Sequence, residues 1–203
     1  MTARRPDVRV RPLTPEDWPV IVHMFGDKGA CGGCWCMWWR VPMGGKTWQI
    51  AKGEKNRNAF RRLVRAGKVH GVLAFTGDEP VGWCCFGPRE TFPRIKRVRA
   101  LQRQETAGVW SVVCFYIPTK WRGRGVATRL LEAATARAFA LGAREVEGFP
   151  IVPKKPAEKV PAVFAWTGVP AIFAADGYGK LASHKSARPI YVRAPRKRSA
   201  HPK

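Results

Sequence analysis

The stretch VWSVVCFYIPTKWRGRGVA, residues 109–127, decides the fold of this chain. Residues 109–117 form a nearly unbroken run of β-branched and aromatic residues, which predicts a buried strand. A turn with Gly123 and Gly125 follows, and apolar residues then recur at helical spacing over residues 126–141. The sequence therefore predicts a buried strand that runs through a glycine turn into a helix.

The glycine turn has the composition of an anion-binding site. The first backbone N–H groups of a helix lack partners within the helix, and the helix dipole is positive at that end. Gly123 and Gly125 leave room for a phosphate beside the backbone, and Arg122 and Arg124 add positive charge. The spacing of a Walker loop is absent, and Thr128 stands where a dinucleotide fingerprint has its third glycine. The pattern indicates a pyrophosphate site, with a tight turn that binds no ligand as the alternative.

Strands and helices alternate around this segment, so the chain as a whole predicts a mixed α/β protein. The predicted strands are residues 8–13, 69–75, 81–86, 109–117, 144–151 and 189–192. The predicted helices are residues 15–25, 47–66, 93–101, 126–141 and 167–176. Residues 194–203 are basic and lack apolar periodicity, so we expect a disordered tail there.

The composition excludes several classes of protein. Lys and Arg number 37 against 14 Asp and Glu, so the formal net charge of the 203 residues is +23. This excess favours anionic partners, such as phosphorylated cofactors, nucleic acid or acidic surfaces. No apolar run reaches the roughly 18 residues of a membrane helix, and residues 1–11 lack the apolar stretch of a secretory signal. We therefore expect a cytoplasmic protein without membrane contact, whose six cysteines are reduced thiols.

The turn resembles motif A of the GNAT superfamily of N-acetyltransferases. That motif reads Gln/Arg-x-x-Gly-x-Gly/Ala after a strand, and here it is RGRGVA, residues 122–127. The order of predicted elements over residues 8–193 is also similar to that of the superfamily. The resemblance implies a single domain over residues 1–193 with an α/β (mixed α+β) fold. Its central, mostly antiparallel sheet would be flanked by helices and splayed between the motif A strand and the next strand.

The resemblance also implies a donor and the residues that hold it. Acetyl-CoA would be the acetyl donor, and its pantetheine arm would lie in the splay of the sheet. The main chain of Phe115 and Ile117 would pair with that arm, and the ring of Phe173 would pack against it. Backbone amides of the turn would hold the pyrophosphate, and they belong to Arg122, Gly123, Arg124, Gly125, Val126, Ala127 and Thr128.

Two proton-transfer groups of the superfamily are absent at the matching positions. Phe173 stands where many members have a tyrosine as general acid, and Ser111 stands where some members have a glutamate base. A carboxylate can accept the proton of an attacking amine, so Glu147, in the strand beside the implied arm, is the candidate base. Tyr116 is the candidate acid or substrate contact, because a phenol can donate a proton. The alternatives are a Glu147 that pairs with an arginine and a Tyr116 that belongs to the core.

The segment CGGCWCMWW, residues 31–39, combines cysteines with tryptophans. By resemblance, this segment walls the acceptor site, where Trp35, Trp38 and Trp39 would form an apolar or cation-accepting pocket. The alternative is a small core cluster. Three cysteines at this spacing could bind zinc together with a fourth ligand. No second Cys-x-x-Cys and no paired histidines follow, so we predict no metal site.

These observations predict an acetyl-CoA-dependent N-acetyltransferase. Its acceptor would be the primary amine of a small molecule or peptide, which attacks the thioester directly. Basic clusters lie at residues 57–65, 94–103 and 195–203, and they leave contact with nucleic acid open. Two alternative functions therefore stay open. One is an acetyltransferase that acts on an amine borne by nucleic acid, such as charged tRNA. The other is a catalytically inactive module that binds CoA or nucleic acid.

Overall fold

Seven strands form one sheet in the computed structural model, which describes residues 7–41, 46–153, 160–182 and 188–195. The strands are β1 (Arg9–Pro12), β2 (His70–Thr76), β3 (Glu79–Pro88), β4 (Val109–Tyr116), β5 (Glu145–Gly148), β6 (Gly179–Lys180) and β7 (Tyr191–Arg193). The α-helices are α1 (Trp18–Phe25), α2 (Lys46–Ala51), α3 (Glu54–Arg65), α4 (Val126–Ala140) and α5 (Pro170–Ala175). The predicted tail beyond residue 195 and the middle of the loop after β5 lie outside the described residues.

The sheet is antiparallel except at one pair of strands. Its order is β1-β2-β3-β4-β5-β7-β6, and among the described strands only β4 and β5 run parallel. Their pairing ends where Val112 lies opposite Gly148, whereas β4 continues beside β3 as far as Tyr116. Among the described strands, none therefore pairs with the second half of β4 on its β5 side. The predicted mixed fold, with a mostly antiparallel sheet between helices, is confirmed.

A β-bulge lies where β4 leaves β5. The register of β3 against β4 shifts after the pair Cys85–Cys114, which leaves Val113 without a partner on β3. An extra residue in one strand changes the face on which the following side chains lie. Val113 and Cys114 both pack on the face that carries α1 and α3, whereas Phe115 packs on the α4 face. The bulge thus decides which side chains of β4 face each side of the sheet.

Each face of the sheet carries its own core. Val126, Leu130 and Ala134 of α4 are fully buried on one face, as the helical spacing of the apolar residues predicts. The other face is covered by α1, α3 and residues 26–41, with an aromatic core that includes Phe60. Within the described parts of the chain, no helix is both long and apolar enough to cross a membrane.

The helix predicted at residues 47–66 is two helices. α2 ends at Ala51 and α3 begins at Glu54, and Gly53 between them has φ +77°. The amide of Gly53 donates to the carbonyl of Gly33 over 3.0 Å, and a Cβ on Gly33 would lie 2.3 Å from the Gly53 nitrogen. The helix breaks because two backbones meet here, which only glycine permits.

Other predicted bounds shift for local reasons. The helix predicted at residues 93–101 consists of two 3₁₀ turns, Ile95–Arg97 and Arg99–Leu101. β5 ends at Gly148 rather than at residue 151, because Pro150 has no N–H to add to a ladder. The sequence does not predict β6, since a strand this short shows no alternation.

Candidate active site

The turn between β4 and α4 has open backbone at its glycines. Gly123 (φ +73°) and Gly125 (φ +83°) lie in the left-handed region that glycine favours. A Cβ added at either residue would meet no atom within 4 Å. The turn therefore leaves room for a ligand directly outside the start of the helix.

The start of α4 presents amides for which the described residues supply no acceptor. Gly125 is the N-cap of α4, and no side chain caps the helix. Its carbonyl accepts the N–H of Arg129 over 3.3 Å, so the amides of residues 126–128 have no acceptor within the helix. Unused amides at the positive end of a helix dipole are a binding site for an anion such as a pyrophosphate.

The arginines of the turn have different surroundings. Arg122 is exposed, and its Nε donates to the Ile117 carbonyl over 3.0 Å, which ties the turn to the end of β4. Arg124 is also exposed, and its guanidinium lies 5.3 Å from the ring centre of Trp121. Both charges remain within the turn and add to the positive potential at the start of α4.

Two aromatic rings meet on the α4 face where β4 and β5 part. Phe173 of α5 is fully buried and lies edge-on to Phe115 of β4, with ring centres 6.4 Å apart. A Cβ on Gly148 would lie 2.1 Å from the Phe173 ring, so the last residue of β5 must be glycine. The structure thus brings Phe115 and Phe173 together beside the unpaired part of β4.

Trp39 reaches the bulge from the opposite face. Its ring is 2% exposed, and its indole Nε1 donates to the Val113 carbonyl over 2.9 Å. Val113 has no register partner on β3, so this bond fixes the backbone at a point where the ladder is interrupted. Trp39 therefore positions the part of β4 from which the split of the sheet begins.

Four tryptophans meet on that face, and together they form the tryptophan cluster: Trp38, Trp39, Trp48 and Trp166. Trp166 links the two neighbours, since its ring centre is 6.3 Å from that of Trp38 and 5.7 Å from that of Trp39. Trp48 lies edge-on to Trp38 at 5.0 Å. Trp38 and Trp166 are half-buried, so the cluster has an accessible side. The sequence gives no sign that Trp48 and Trp166 belong here, because they come from distant segments.

Trp35, the third tryptophan predicted for the acceptor wall, lies apart from this cluster. It is 3% exposed, and its ring centre is 5.8 Å from those of Trp18 and Phe25 in the core. Trp35 (φ +46°) and Cys36 (φ +54°) both adopt the left-handed conformation, which is strained for a non-glycine residue. The chain turns sharply here, sending Trp35 into the core and the next tryptophans towards β4.

The cysteines of residues 31–36 do not form a group of their own. Cys31 is exposed, whereas Cys36 is buried and its sulfur accepts a hydrogen bond from Trp83 Nε1 over 3.0 Å. Contact with the Cys114 thiol is the main cause that raises the pKa of Cys36 well above its usual value. A thiol that stays protonated is a poor metal ligand and a poor nucleophile. No group of three or more Cys, His, Asp or Glu in the described part of the chain could hold a metal ion.

Glu147, the candidate base, lies in a buried ionic network. Its side chain is fully buried and accepts hydrogen bonds from Arg89 Nη1 and, over 2.6 Å, from Ser111 Oγ. Arg103 Nη1 lies 3.3 Å from its other oxygen and 2.5 Å from Glu145. Both oxygens of Glu147 are engaged, which leaves it poorly placed to take a proton from an amine. The geometry favours the alternative in which this carboxylate pairs with arginine.

Tyr116, the candidate acid, faces the same side of the sheet as Trp39. It is half-buried and lies edge-on to Phe25, with ring centres 5.2 Å apart. The side chain of Tyr116 is therefore only partly enclosed by the core. A role for Tyr116 in proton transfer stays a prediction, and its position is compatible with it.

A further tyrosine lies close to Phe173 but is turned away from the split. The ring centres of Tyr178 and Phe173 are 5.1 Å apart. The Tyr178 hydroxyl is 2.7 Å from Thr135 Oγ1 of α4, and burial raises its pKa above the usual value. Tyr178 therefore supports the core under Phe173 and does not replace the tyrosine that many members have at that position.

The basic cluster at residues 57–65 lies on α3. Asn58, Arg61, Arg62 and Arg65 line a groove on the surface of that helix. Contact with nucleic acid through this groove stays a prediction.

A comparison with family models identifies the chain. The model of the acetyltransferase (GNAT) family matches residues 35–160, which is more than half of the chain. The chain therefore belongs to the GNAT family of acetyltransferases. None of the curated proteins matches its sequence.

Solved structures share the fold at low sequence identity. The ribosomal-protein-alanine N-acetyltransferase of Brucella melitensis has a TM-score of 0.53 at 12% identity, covering 92% of this chain and 99% of its own. The phosphinothricin acetyltransferase of Sinorhizobium meliloti, solved with AcCoA, has a TM-score of 0.52 at 15% identity, covering 92% and 88%. The PaiA N-acetyltransferase of Thermoplasma acidophilum, solved with coenzyme A, has a TM-score of 0.51 at 12% identity, covering 93% and 99%. At such identities the likeness shows the fold alone.

Proposed function

We propose that this chain uses acetyl-CoA to acetylate a primary amine. The observation that carries the proposal is the open turn before α4 at the end of the unpaired part of β4. The turn offers free amides to a pyrophosphate, and β4 offers a strand edge to an extended arm. Acetyl-CoA carries a pyrophosphate followed by an extended arm, so one molecule can bind both the turn and the strand edge.

The residues at both features suit this donor. The amides of residues 123–128 and the charge of Arg124 bind the pyrophosphate, while Phe115 and Phe173 pack along the arm; the amide of Arg122 instead donates to the Thr119 carbonyl. Acetyl-CoA supplies a thioester whose carbonyl carbon an amine can attack directly. Backbone N–H groups along the unpaired part of β4 can donate to the oxygen of that carbonyl and stabilise the charge that develops on it.

The acceptor approaches from the face of the tryptophan cluster, since α4 and α5 cover the other face. The amine nitrogen bonds to the acetyl carbon as the carbon–sulfur bond breaks. The nitrogen releases a proton to water, and the leaving sulfur takes up a proton. Tyr116 is the proposed donor of that proton, because its half-buried phenol ring lies on this face. Glu147 receives no role in the transfer, because two arginines and Ser111 occupy its oxygens.

Acetyl-CoA is expected to raise the Tm of the protein. A ligand that binds only the folded chain stabilises it by about 2.7 kcal/mol at 100 times its Kd. For a domain of this size, that corresponds to a Tm increase of roughly 5–10 °C. Desulfo-CoA should give nearly the same shift, because it keeps the pyrophosphate. Thermal denaturation and titration calorimetry measure both effects, and a chain that shows neither a shift nor binding heat at saturating CoA contradicts the proposal.

Trp39→Phe is expected to slow acetyl transfer without weakening CoA binding. The phenyl ring keeps most of the packing, but the Val113 carbonyl loses its donor and β4 can shift beside the thioester. A displacement of about 1 Å between reacting groups can cost about 100-fold in rate, so we expect kcat to fall by about tenfold or more. The Kd for CoA should stay close to that of the wild type.

Trp35→Phe is the matched control for this experiment. Trp35 comes from the same segment and is as buried as Trp39, but its ring packs on Trp18 and Phe25 and makes no hydrogen bond to β4 within the described residues. Equal losses of kcat in the two variants, or a parallel loss of CoA affinity in Trp39→Phe, would show that Trp39 only stabilises the fold.

A further inference from the structure

Arg94 lies against the tryptophan cluster, and no carboxylate of the described residues pairs with it. The centre of its guanidinium is 3.4 Å from the ring centre of Trp38, and its backbone N–H donates to the Trp39 carbonyl over 3.3 Å. Its Nη1 is buried and makes no hydrogen bond to any described residue. None of the ion pairs among the described residues includes Arg94. A cationic nitrogen that is shielded from water and has no acceptor is unfavourable unless a ligand supplies one.

Two other arginines of this chain, Arg89 and Arg103, have acceptors for their guanidinium groups. Arg89 donates to Glu147 and, over 2.5 Å, to the Leu101 carbonyl. Arg103 has contacts to two carboxylates. Burial lowers the pKa of Arg94, as expected for a cation that has lost water and gained no anion. The contrast indicates that the acceptor for Arg94 comes from outside the chain.

The surface around Arg94 is apolar and accessible. Trp38 and Trp166 are half-buried and present their rings on this side. Aromatic rings that stay partly accessible beside a guanidinium are typical of a site that binds a ligand. The ligand that fits has an apolar body and a negative charge.

The position of Arg94 connects this surface to the reacting strand. The backbone N–H of Arg94 donates a hydrogen bond to the Trp39 carbonyl, and the indole N–H of Trp39 donates one to the Val113 carbonyl of β4. If the function proposed above is correct, Arg94 therefore lies on the acceptor side of the thioester. We propose that the acceptor carries an oxyanion in addition to its amine, and that Arg94 binds that oxyanion. The guanidinium of Arg188, 5.5 Å from the Trp39 ring centre, adds positive potential at the same cluster.

This assignment narrows the class of acceptor. A guanidinium binds carboxylates and phosphate-type groups through parallel N–H donors. Nη1 of Arg94 is such a donor, and no acceptor among the described residues is bonded to it. The tryptophan rings cover the apolar part of the same molecule. The acceptor is thus an amino acid or aminophosphonate with an apolar side chain, and polyamines and simple alkylamines are disfavoured.

Matched pairs of amines test this inference. Phenylalanine is compared with 2-phenylethylamine, and leucine with 3-methylbutylamine, so that each pair differs by one carboxylate. The phosphonate analogue of phenylalanine distinguishes a carboxylate from a phosphate-type group. The acetylated products are measured by mass spectrometry for the wild type, for Arg94→Gln and for Lys96→Gln. Lys96 is exposed on the same 3₁₀ turn region, so its variant loses the same charge without touching the cluster.

The wild type is expected to use at least one anionic probe with a kcat/KM about 10- to 100-fold above its neutral partner, the range that a charge-assisted contact gives. Arg94→Gln should reduce that ratio to near one, chiefly through KM for the acceptor, and leave KM for acetyl-CoA unchanged. Lys96→Gln should keep the wild-type ratio. A wild type that prefers the neutral member of every pair, or an Arg94→Gln variant that keeps the preference, overturns the inference.

A binding measurement separates this inference from the proposed function. N-acetylphenylalanine and N-acetyl-2-phenylethylamine, the two products, are titrated into the wild type and Arg94→Gln by calorimetry, with and without CoA. Tighter binding of the carboxylated product by the wild type, lost in Arg94→Gln, supports the oxyanion site whether or not acetyl transfer is seen. Equal binding of the two products by the wild type, or the absence of binding, rejects the site while leaving the CoA experiments unaffected.

Discussion

Gly125→Val is expected to abolish CoA binding while the protein stays folded. The new side chain would enter space that holds no protein atom within 4 Å of the added Cβ, so it overlaps nothing in the chain. The same space lies outside the uncapped start of α4, where a phosphate would meet the amides. The left-handed φ of +83° adds strain of about 1–2 kcal/mol for any residue with a Cβ. Calorimetry with CoA and circular dichroism measure the two expectations.

Gly142→Val provides the matched control at the other end of α4. Gly142 has φ +92°, and a Cβ on it would also meet nothing within 4 Å. The control therefore carries comparable backbone strain far from the turn, and it should bind CoA at wild-type strength despite a similar loss of stability. If Gly125→Val is folded and binds CoA as tightly as Gly142→Val does, the turn is not part of the site.

Glu147→Gln is expected to lower the free energy of unfolding by about 3–5 kcal/mol. The change leaves the positive charge of Arg89 and part of that of Arg103 buried without a counter-ion. For a domain of this size the loss corresponds to a Tm decrease of roughly 10 °C. Chemical denaturation followed by circular dichroism measures it.

Glu145→Gln is the control for the buried pair. Glu145 also contacts Arg103, but its side chain is 25% exposed, so water can replace part of the contact and we expect a loss of about 1 kcal/mol or less. The opposite pattern would contradict the structural role of Glu147. A Glu147→Gln protein with wild-type Tm and no acetyl transfer at any pH would make this carboxylate the general base after all.

The sequence predicts the fold because its signals are local. The strand, glycine turn and helix at residues 109–141 each carry their own periodicity, and the turn chemistry agrees with them. The same holds for β2 and β3, whose apolar runs are separated by a turn that begins with Gly77. Residue types that set local conformation were enough to place these elements in order.

The bulge in β4 could not be predicted from the alternation of side chains. Val113 and Cys114 are both apolar, so an extra residue between strand pairs leaves no break in the run. The break between α2 and α3 at Gly53 could not be predicted from the sequence either, for a different reason. It depends on the approach of the Gly33 backbone, which no pattern within residues 47–66 records. Both features arise from tertiary contacts rather than from local preference.

The roles of the candidate site residues depended on partners far along the chain. Glu147 is held by Arg89, which is 58 residues away in the sequence. A carboxylate in a strand looks the same in sequence whether it awaits a proton or neutralises buried arginines. Trp166 joins Trp38 and Trp39 in the same way, through the path of the chain around β5. The anion-binding character of the turn depends on neighbouring residues and could be predicted from the sequence. The acceptor side combines residues that only the fold brings together, so the sequence alone could not predict it.

The N–H and C=O groups on the β5 side of the second half of β4 have no strand partner among the described residues. An unpaired strand edge readily accepts a strand from another molecule, and such edges promote self-association. In this enzyme the arm of the donor would cover the edge as an additional strand would, so the exposed state lasts only while no donor is bound. The donor-bound protein should therefore self-associate and be cleaved by proteases more slowly than the free protein.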